Sequence, residues 1–158
     1  MKGPVRGGPG SRILFEVDIV SDTFSDKHFE VGIVLFDDSP ESTELLGHSP
    51  ASVEHQLRQL PPAPLFIVVA ALEGERNLGH FLLWSNGNRA LIRMEGRREH
   101  LGTSPVPEHR DTTYVGFLNT DGTTLLQPFE QTVPYTTAME ALAYWLHTRR
   151  RAPSLAWH

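Results

Sequence analysis

Eight histidines are the residues of this chain best suited to chemistry, because imidazole binds metals and transfers protons near neutral pH. No two of them have the i, i+4 spacing of a helical zinc site, and the His-Glu-x-x-His pattern does not occur. Histidines that are distant in the sequence can still converge in a fold. We therefore keep one alternative, a small metal- or ligand-binding domain, enzymatic or not, with a site built from His80, His100, His109 and Glu95.

Other catalytic patterns are incomplete. His109, Arg110 and Asp111 spell the kinase catalytic-loop triplet, but neither a glycine-rich loop nor a DFG motif accompanies them. Glycoside hydrolysis needs a pair of carboxylates, and the candidates for such a pair are Glu95, Glu99 and Asp111. A charged loop rim explains these three residues equally well. The chain has no cysteine, so it cannot form the zinc signature of nucleic-acid deaminases. We predict a protein without catalytic activity, cofactor or bound metal.

Hydrophobic periodicity and turn residues divide the chain into short elements that would position any such site. The Gly/Pro-rich residues 1–12 are predicted to be a disordered tail. Residues 21–30 are turn-like and acidic, and residues 95–112 are predicted to be a long loop. The predicted strands are 13–20, 31–36, 65–72, 80–84, 89–94, 113–118, 123–127 and 155–157.

Two helices carry cap signals. Ser49 with Pro50 is typical of an N-cap followed by the first helical residue, and this helix should end before a Pro-Pro pair. Thr137 and Glu140 have capping-box spacing, which predicts the start of a second helix at Thr137. Basic residues 149–151 then fall at the end of that helix, where they suit the negative end of its dipole.

Most of the predicted strands are joined by hairpins. Asn86 and Gly87 form the strongest turn signal, because both residues tolerate a positive φ. Hairpins with few crossovers predict an α+β fold whose sheet is mainly antiparallel, with two helices packed on one face. Residues 13–158 are predicted to form a single domain.

The chain closes with a helix that carries a small residue and an aromatic–Leu pair, then basic residues, a proline and a strand ending in tryptophan. The residues are Ala141, Trp145, Leu146, Thr148, Arg150, Pro153 and Trp157. This ending resembles the first-described family of immunity proteins of bacterial polymorphic-toxin systems, which are often encoded beside deaminase toxins. The resemblance covers residues 80–158, extends loosely to the first half, and differs at Arg149, where a glycine often stands. It implies a toxin-inhibiting scaffold, with a nucleic-acid deaminase as the target.

The distribution of apolar residues in the sequence bears on where the protein is located. The first residues lack the apolar stretch of a secretory signal, and the longest apolar run is far shorter than the roughly 20 residues of a membrane helix. We predict a cytoplasmic protein with no membrane partner.

Residues 13–60 carry ten acidic and two basic residues, a net charge of −8, whereas residues 61–158 carry nine of each. An acidic segment suits a basic partner and disfavours nucleic acid, and its alternative interpretation is a solvated face.

These observations predict an immunity protein that occludes the active site of a basic, nucleic-acid-acting toxin. The expected contacts are eight acidic residues and one tryptophan: Asp18, Asp22, Asp26, Glu30, Asp37, Asp38, Glu41, Glu44 and Trp84. The loop from Arg97 to His109 is a second choice, and the core is the alternative place for Trp84. An adaptor that pairs through an exposed sheet edge is a third hypothesis.

Overall fold

The structure, a computed structural model, describes residues 27–36, 41–47, 49–106 and 113–158, with the backbone alone for 41–47. The predicted tail 1–12 and strand 13–20 lie outside these residues. The described strands are β1 (Lys27–Leu35), β2 (Glu41–Gly47), β3 (Pro64–Glu73), β4 (Arg76–Asn86), β5 (Arg89–Glu95), β6 (Glu99–Thr103), β7 (Tyr114–Leu118), β8 (Thr124–Pro128), β9 (Val133–Pro134) and β10 (Ala156–Trp157). The helices are α1 (Pro50–Arg58) and α2 (Tyr135–Thr148), and Phe129–Gln131 form a 3-10 turn.

One antiparallel sheet contains all of these strands except β7 and β8. Its order is β10-β6-β5-β4-β3-β1-β2, with β9 paired to β5. Strands that follow one another in the chain are mostly neighbours, because tight hairpins connect them. The predicted α+β fold, a mainly antiparallel sheet built from hairpins with two helices on one face, is confirmed.

Buried and partly exposed side chains alternate along the strands, so the sheet has two different faces. In β3 every second side chain is buried, as a period of two requires. The helix face, on which α1 and α2 pack, carries Ile67, Val69, Phe81 and Leu83, all fully buried. The aromatic ring of Trp145 in α2 lies 5.8 Å from that of Phe81. Burial of these apolar side chains between sheet and helices is the main stabilising contribution to the fold.

The opposite face, which we call the outer face, is covered only in part by the described residues. The β7–β8 hairpin packs there, with Val115 and Phe117 against Leu91 of β5. The partly buried side chains that complete this second, smaller apolar cluster are Trp84, Leu101, Leu125 and Phe129. The hairpin was predicted from the sequence, and besides β5 it also contacts β4 and β3 of the main sheet.

The predicted capping box at the start of the second helix is wrong. Helix α2 begins at Tyr135, so Thr137 lies within its first turn, and the N-cap is Pro134, which has no side chain able to cap. The helix start is set by the sheet instead, because β9 leads directly into it and the Tyr135 amide donates to the Asn88 carbonyl at 3.0 Å. Glu140 accepts a hydrogen bond from Arg58 of α1.

Three strand segments differ from the prediction. Residues 27–30, predicted to be turn-like, belong to β1, where they pair with the end of β3. Residues 41–47, for which no element was predicted, form β2. The predicted loop 95–112 contains β6, which pairs with β5 and β10. Pairing with neighbours that are already ordered stabilises these short polar strands, which lack a clear hydrophobic pattern of their own.

The ends of α1 and the turn between β4 and β5 lie where predicted. Ser49 caps α1 and its hydroxyl accepts from the Ser52 amide. In the turn, Gly87 has a φ of 97°, whereas Asn86 does not adopt a positive φ. The Asn86 side chain instead accepts from the amides of Asn88 and Arg89 at 3.0 and 2.8 Å. Asparagine therefore stabilises the turn through its side chain rather than through its backbone conformation.

The surfaces of α1 and α2 are linked by charged side chains. Glu54 Oε1 lies 2.6 Å from His147 Nε2, and Glu54 Oε2 accepts from Arg58 Nε at 2.7 Å. Arg58 also donates to Glu140 at 3.0 Å. The hydrogen bonds from Arg58 and then His147 lower the pKa of Glu54, and those to Glu140 and then Glu54 raise the pKa of Arg58.

We expect Glu54→Gln to lower the free energy of unfolding at neutral pH by about 0.5–1 kcal/mol, the range of partly exposed ion pairs. The folded protein holds the pKa of Glu54 below its ordinary value. The contribution is therefore complete above the ordinary carboxyl pKa and is lost as the pH falls through the folded-state pKa. Urea unfolding of both proteins across this range should show the difference closing in acid. Glu130→Gln, at an exposed carboxylate on the 3-10 turn, is the control, and a difference independent of pH would contradict the assignment.

No helix in the described part of the chain has the length and apolar character that crossing a membrane requires.

Candidate partner-binding surface

Beside the β7–β8 hairpin, the outer face carries partly exposed apolar side chains of β1, β3 and β4. Strand register aligns its residues in rows across β1, β3 and β4, the first row being Val34, Phe66 and Trp84 and the second Gly32, Val68 and Leu82. We call Val34, Phe66, Val68 and Leu82 the apolar strip. All four are partly exposed. Because their rows are adjacent, they form one continuous patch, and such patches are typical of protein-binding surfaces.

Gly32 gives this patch its local shape. A side chain there would bring a Cβ within 3.1 Å of Val68 Cγ1. The absence of a side chain at Gly32 therefore leaves room for the Val68 side chain beside the β1 backbone.

Trp84 lies at the border between the strip and the second apolar cluster. Its ring centroid is 4.9 Å from that of Phe66 at an angle of 42°. On its other side the Arg93 guanidinium is 5.5 Å from the ring, and Arg93 also pairs with Glu99 at 3.3 Å. Trp84 is half-buried, and its contacts hold the strip in place while part of its ring remains accessible.

Acidic residues gather at the adjoining edge of the sheet. Glu30 of β1 occupies the third row, beside Ala70, and its side chain is 57% exposed. Glu41 and Glu44 belong to β2, the terminal strand of the described sheet. Glu44 lies opposite Gly32 at an outer-face position, whereas Glu41 lies opposite Leu35, whose position belongs to the helix face. We call Glu30, Glu41 and Glu44 the acidic edge. The other acidic candidates, Asp18, Asp22, Asp26, Asp37 and Asp38, lie outside the described residues.

The structure brings together two of the three described residues of the alternative metal or ligand site. Glu95 and His100 both line a hollow beside the C-terminal end of α2, whereas His80, which lies opposite Glu95 in the β4–β5 register, does not line it. His109 is outside the described residues. Within residues 27–36, 49–106 and 113–158, no three His, Asp or Glu side chains are placed to hold a metal ion.

A hollow of about 590 Å³ lies on the helix side, between the C-terminal end of α2 and the turn from β5 to β6. Its charged lining residues are Glu95, Arg97, Arg98, Arg149, Arg150 and Arg151. We call it the basic hollow. It brings together two arginine groups that are some fifty residues apart in the sequence, and this convergence was not predicted.

Two features of the sequence explain why the basic hollow was not predicted. Along the sequence, the charges of Arg97 and Arg98 are offset by three nearby acidic residues, Glu95, Glu99 and Glu108. In the structure Glu99 pairs with Arg93, Glu108 is outside the described residues, and Glu95 is the acidic residue among the lining residues. The Arg149–Arg151 run was interpreted as a helix terminus, and only Arg149 serves that role, donating to the carbonyls of Trp145 and Leu146.

A smaller cavity of about 280 Å³ lies between α1 and the start of α2. Tyr135, Arg58 and Glu140 line it. The Tyr135 hydroxyl is buried without a partner among the described residues, and burial raises the pKa of this side chain. The volume is below the range of about 300–1,000 Å³ that is usual for small-molecule sites, so we assign no ligand to it.

Comparison of the chain with protein-family models and with curated proteins found no match.

Proposed function

We propose that this chain is an immunity protein, a non-enzymatic inhibitor that binds a cognate bacterial toxin domain and occludes its active site. The observation that carries the proposal is the outer face, where the apolar strip adjoins the acidic edge. The C-terminal residues that resemble the polymorphic-toxin immunity family support it independently of this surface.

The two parts of the surface suit different steps of binding. Removing the apolar strip from water supplies affinity, chiefly by slowing dissociation. Carboxylates at the edge attract a positively charged partner before contact and orient it. A toxin that acts on nucleic acid must bind phosphate, so its cleft is positive and complementary to the acidic edge.

Deaminase-type chemistry in the toxin follows from the resemblance alone. An acidic inhibitor imitates the phosphate groups of the substrate, and electrostatic steering accelerates such encounters by about 10–10³-fold. Rapid capture matters because free toxin would kill the cell that makes it. The acidic edge supplies the carboxylates for this role next to a surface that then excludes water.

The test is binding of the purified chain to the toxin domain encoded beside it, followed by surface plasmon resonance. We expect Val68→Glu, which places a charge in the apolar strip, to weaken affinity at least about 30-fold, the loss at a hot spot of 2 kcal/mol. Leu126→Glu makes a similar change at an exposed apolar residue of β8 and should leave affinity unchanged. Equal affinity for the two variants would overturn the proposed surface, and no binding by the wild type would overturn the function.

A charge variant separates the contribution of the acidic edge. Glu30→Lys should slow association several-fold at low salt, with little effect at high salt, because exposed charges are screened there. Glu130→Lys makes the same charge change at the exposed 3-10 turn, which contacts β6 at the opposite end of the sheet. An association rate that is equally affected by both variants would mean that net charge alone, and not this edge, steers the partner.

Binding of a small anionic ligand is a second candidate function, and the basic hollow is the observation that favours it.

A further inference from the structure

The basic hollow concentrates positive charge with little to neutralise it. Its lining includes five arginines, His100 and one acidic residue, Glu95. Within the described residues, the guanidinium groups of Arg97, Arg98, Arg150 and Arg151 form no hydrogen bond or ion pair. Like charges held together in one concave site repel one another and raise the local potential, so an anion that entered would stabilise the arrangement.

Arg149 has a different role from the other four. It is the helix C-cap, with a left-handed φ of 58°, and its guanidinium lies 4.3 Å from the Phe29 ring centroid and 5.3 Å from that of Trp145. Its partial burial lowers its pKa. These contacts fix the chain where α2 ends, and they hold Arg150 and Arg151 at the mouth of the hollow.

We propose that the basic hollow binds a small ligand that carries a polyphosphate group. The planar guanidinium group donates two parallel hydrogen bonds to a phosphate, and arginine is the preferred residue where such recognition is needed. The size of the hollow falls in the range of about 300–1,000 Å³ that is usual for small-molecule sites. The proposal does not rest on the immunity function, because none of the lining residues belongs to the apolar strip or the acidic edge.

Charge density favours phosphate over an acidic protein segment. An extended peptide presents its residues about 3.3 Å apart and on alternating sides. A polyphosphate instead places several negative charges on adjacent groups, so a single compact ligand can face arginines on both walls of the hollow. The apolar residues Leu78 and Met94, which are at least partly exposed, also line the hollow and provide contact for a base or sugar attached to the phosphates.

The experiment is isothermal titration calorimetry of the full chain with inorganic triphosphate, ATP, AMP and adenosine at low salt. We expect triphosphate and ATP to bind, AMP to bind at least tenfold more weakly, and adenosine not to bind. Tighter binding of ATP than of triphosphate would identify a nucleotide as the ligand, and equal binding would identify the polyphosphate group itself. No binding of either polyphosphate would overturn the proposal.

Variants locate the site. Arg97→Gln and Arg150→Gln should each weaken triphosphate binding about tenfold, since a hydrogen bond to a charged group contributes about 1.5–3 kcal/mol. Arg58→Gln is the matched control, since this arginine pairs with Glu54 on α1 and does not line the hollow. Thermal unfolding verifies that each variant is folded. The exposed side chains of Arg97 and Arg150 should not affect stability, whereas Arg58→Gln should lower it slightly, because Arg58 pairs with Glu54 and Glu140.

Two results would contradict the assignment. If Arg97→Gln and Arg150→Gln weaken binding no more than Arg58→Gln, the phosphate binds elsewhere. If a short polyglutamate peptide displaces triphosphate at an equal concentration of charge, the site is a docking place for an acidic protein segment and the small-ligand proposal fails.

Discussion

Trp145→Ala is expected to lower the free energy of unfolding by about 3–5 kcal/mol, the usual cost of removing a buried aromatic side chain. Trp145 is 3% exposed. Its ring lies 6.3 Å from that of Phe29 on β1 and 5.8 Å from that of Phe81 on β4, so one side chain connects α2 to two strands of the sheet. Its removal would leave a cavity that the surrounding strands cannot close, because their positions are fixed by pairing on both sides.

Chemical denaturation followed by circular dichroism measures this loss. Tyr144→Ala is the matched control, since Tyr144 is the preceding residue of the same helix, is also aromatic and is 37% exposed. We expect the control to cost less than about 1 kcal/mol, as is usual for surface positions. A cost for Trp145→Ala that does not exceed the control would mean that α2 is held to the sheet chiefly by other contacts.

The sequence predicted those helices and strands whose stabilising interactions lie between residues close together in the chain. Residues 65–72 form a continuous apolar run after a proline-rich segment, which predicts a central strand, and β3 covers them. Ser49 and Pro50 are an N-cap and a first helical residue, and α1 begins there. In both cases the stabilising interactions lie within a few residues of one another, so the sequence alone contains them.

The elements that the sequence did not predict depend on distant partners. Residues 41–47 and 99–103 have weak patterns, and each becomes a strand by pairing with another part of the chain. Helix α2 begins two residues before the predicted Thr137 because β9 is paired with β5. Tertiary contacts outweigh local preferences in such places.

The candidate sites also differ in how far the sequence predicts them. The acidic edge could be predicted in part, because Glu30, Glu41 and Glu44 are close in the sequence and β1 and β2 are neighbours. The apolar strip and the basic hollow could not, since each combines residues from strands or helix ends that are far apart in the chain. Counting charges along the sequence also suggests that Arg97 and Arg98 are neutralised by the acidic residues near them. In the fold this does not hold for Glu99, because its carboxylate pairs with Arg93.

The second large effect is expected at Gly102, a buried position of β6. A Cβ there would lie 2.9 Å from Ile92 Cδ1 and 2.9 Å from Trp157 Cζ3, distances that side chains do not tolerate. The Trp157 ring cannot easily move, because its Nε1 donates to the Ala152 carbonyl at 2.9 Å and its backbone pairs with Gly102 in β10. Gly102→Ala should therefore cost about 1–3 kcal/mol, as overpacking of a filled core does.

Gly96→Ala is the control for this prediction. Nothing lies within 4 Å of a Cβ at Gly96, and its φ is not positive, so alanine fits there without strain. It should leave stability unchanged or raise it by up to about 1 kcal/mol through the lower entropy of the unfolded chain. Urea unfolding of both variants measures the difference, and tryptophan fluorescence reports whether Trp157 has moved. If the two glycine variants are equally stable, β10 is not held against Gly102, and the closing strand of the sheet is loosely attached rather than part of the core.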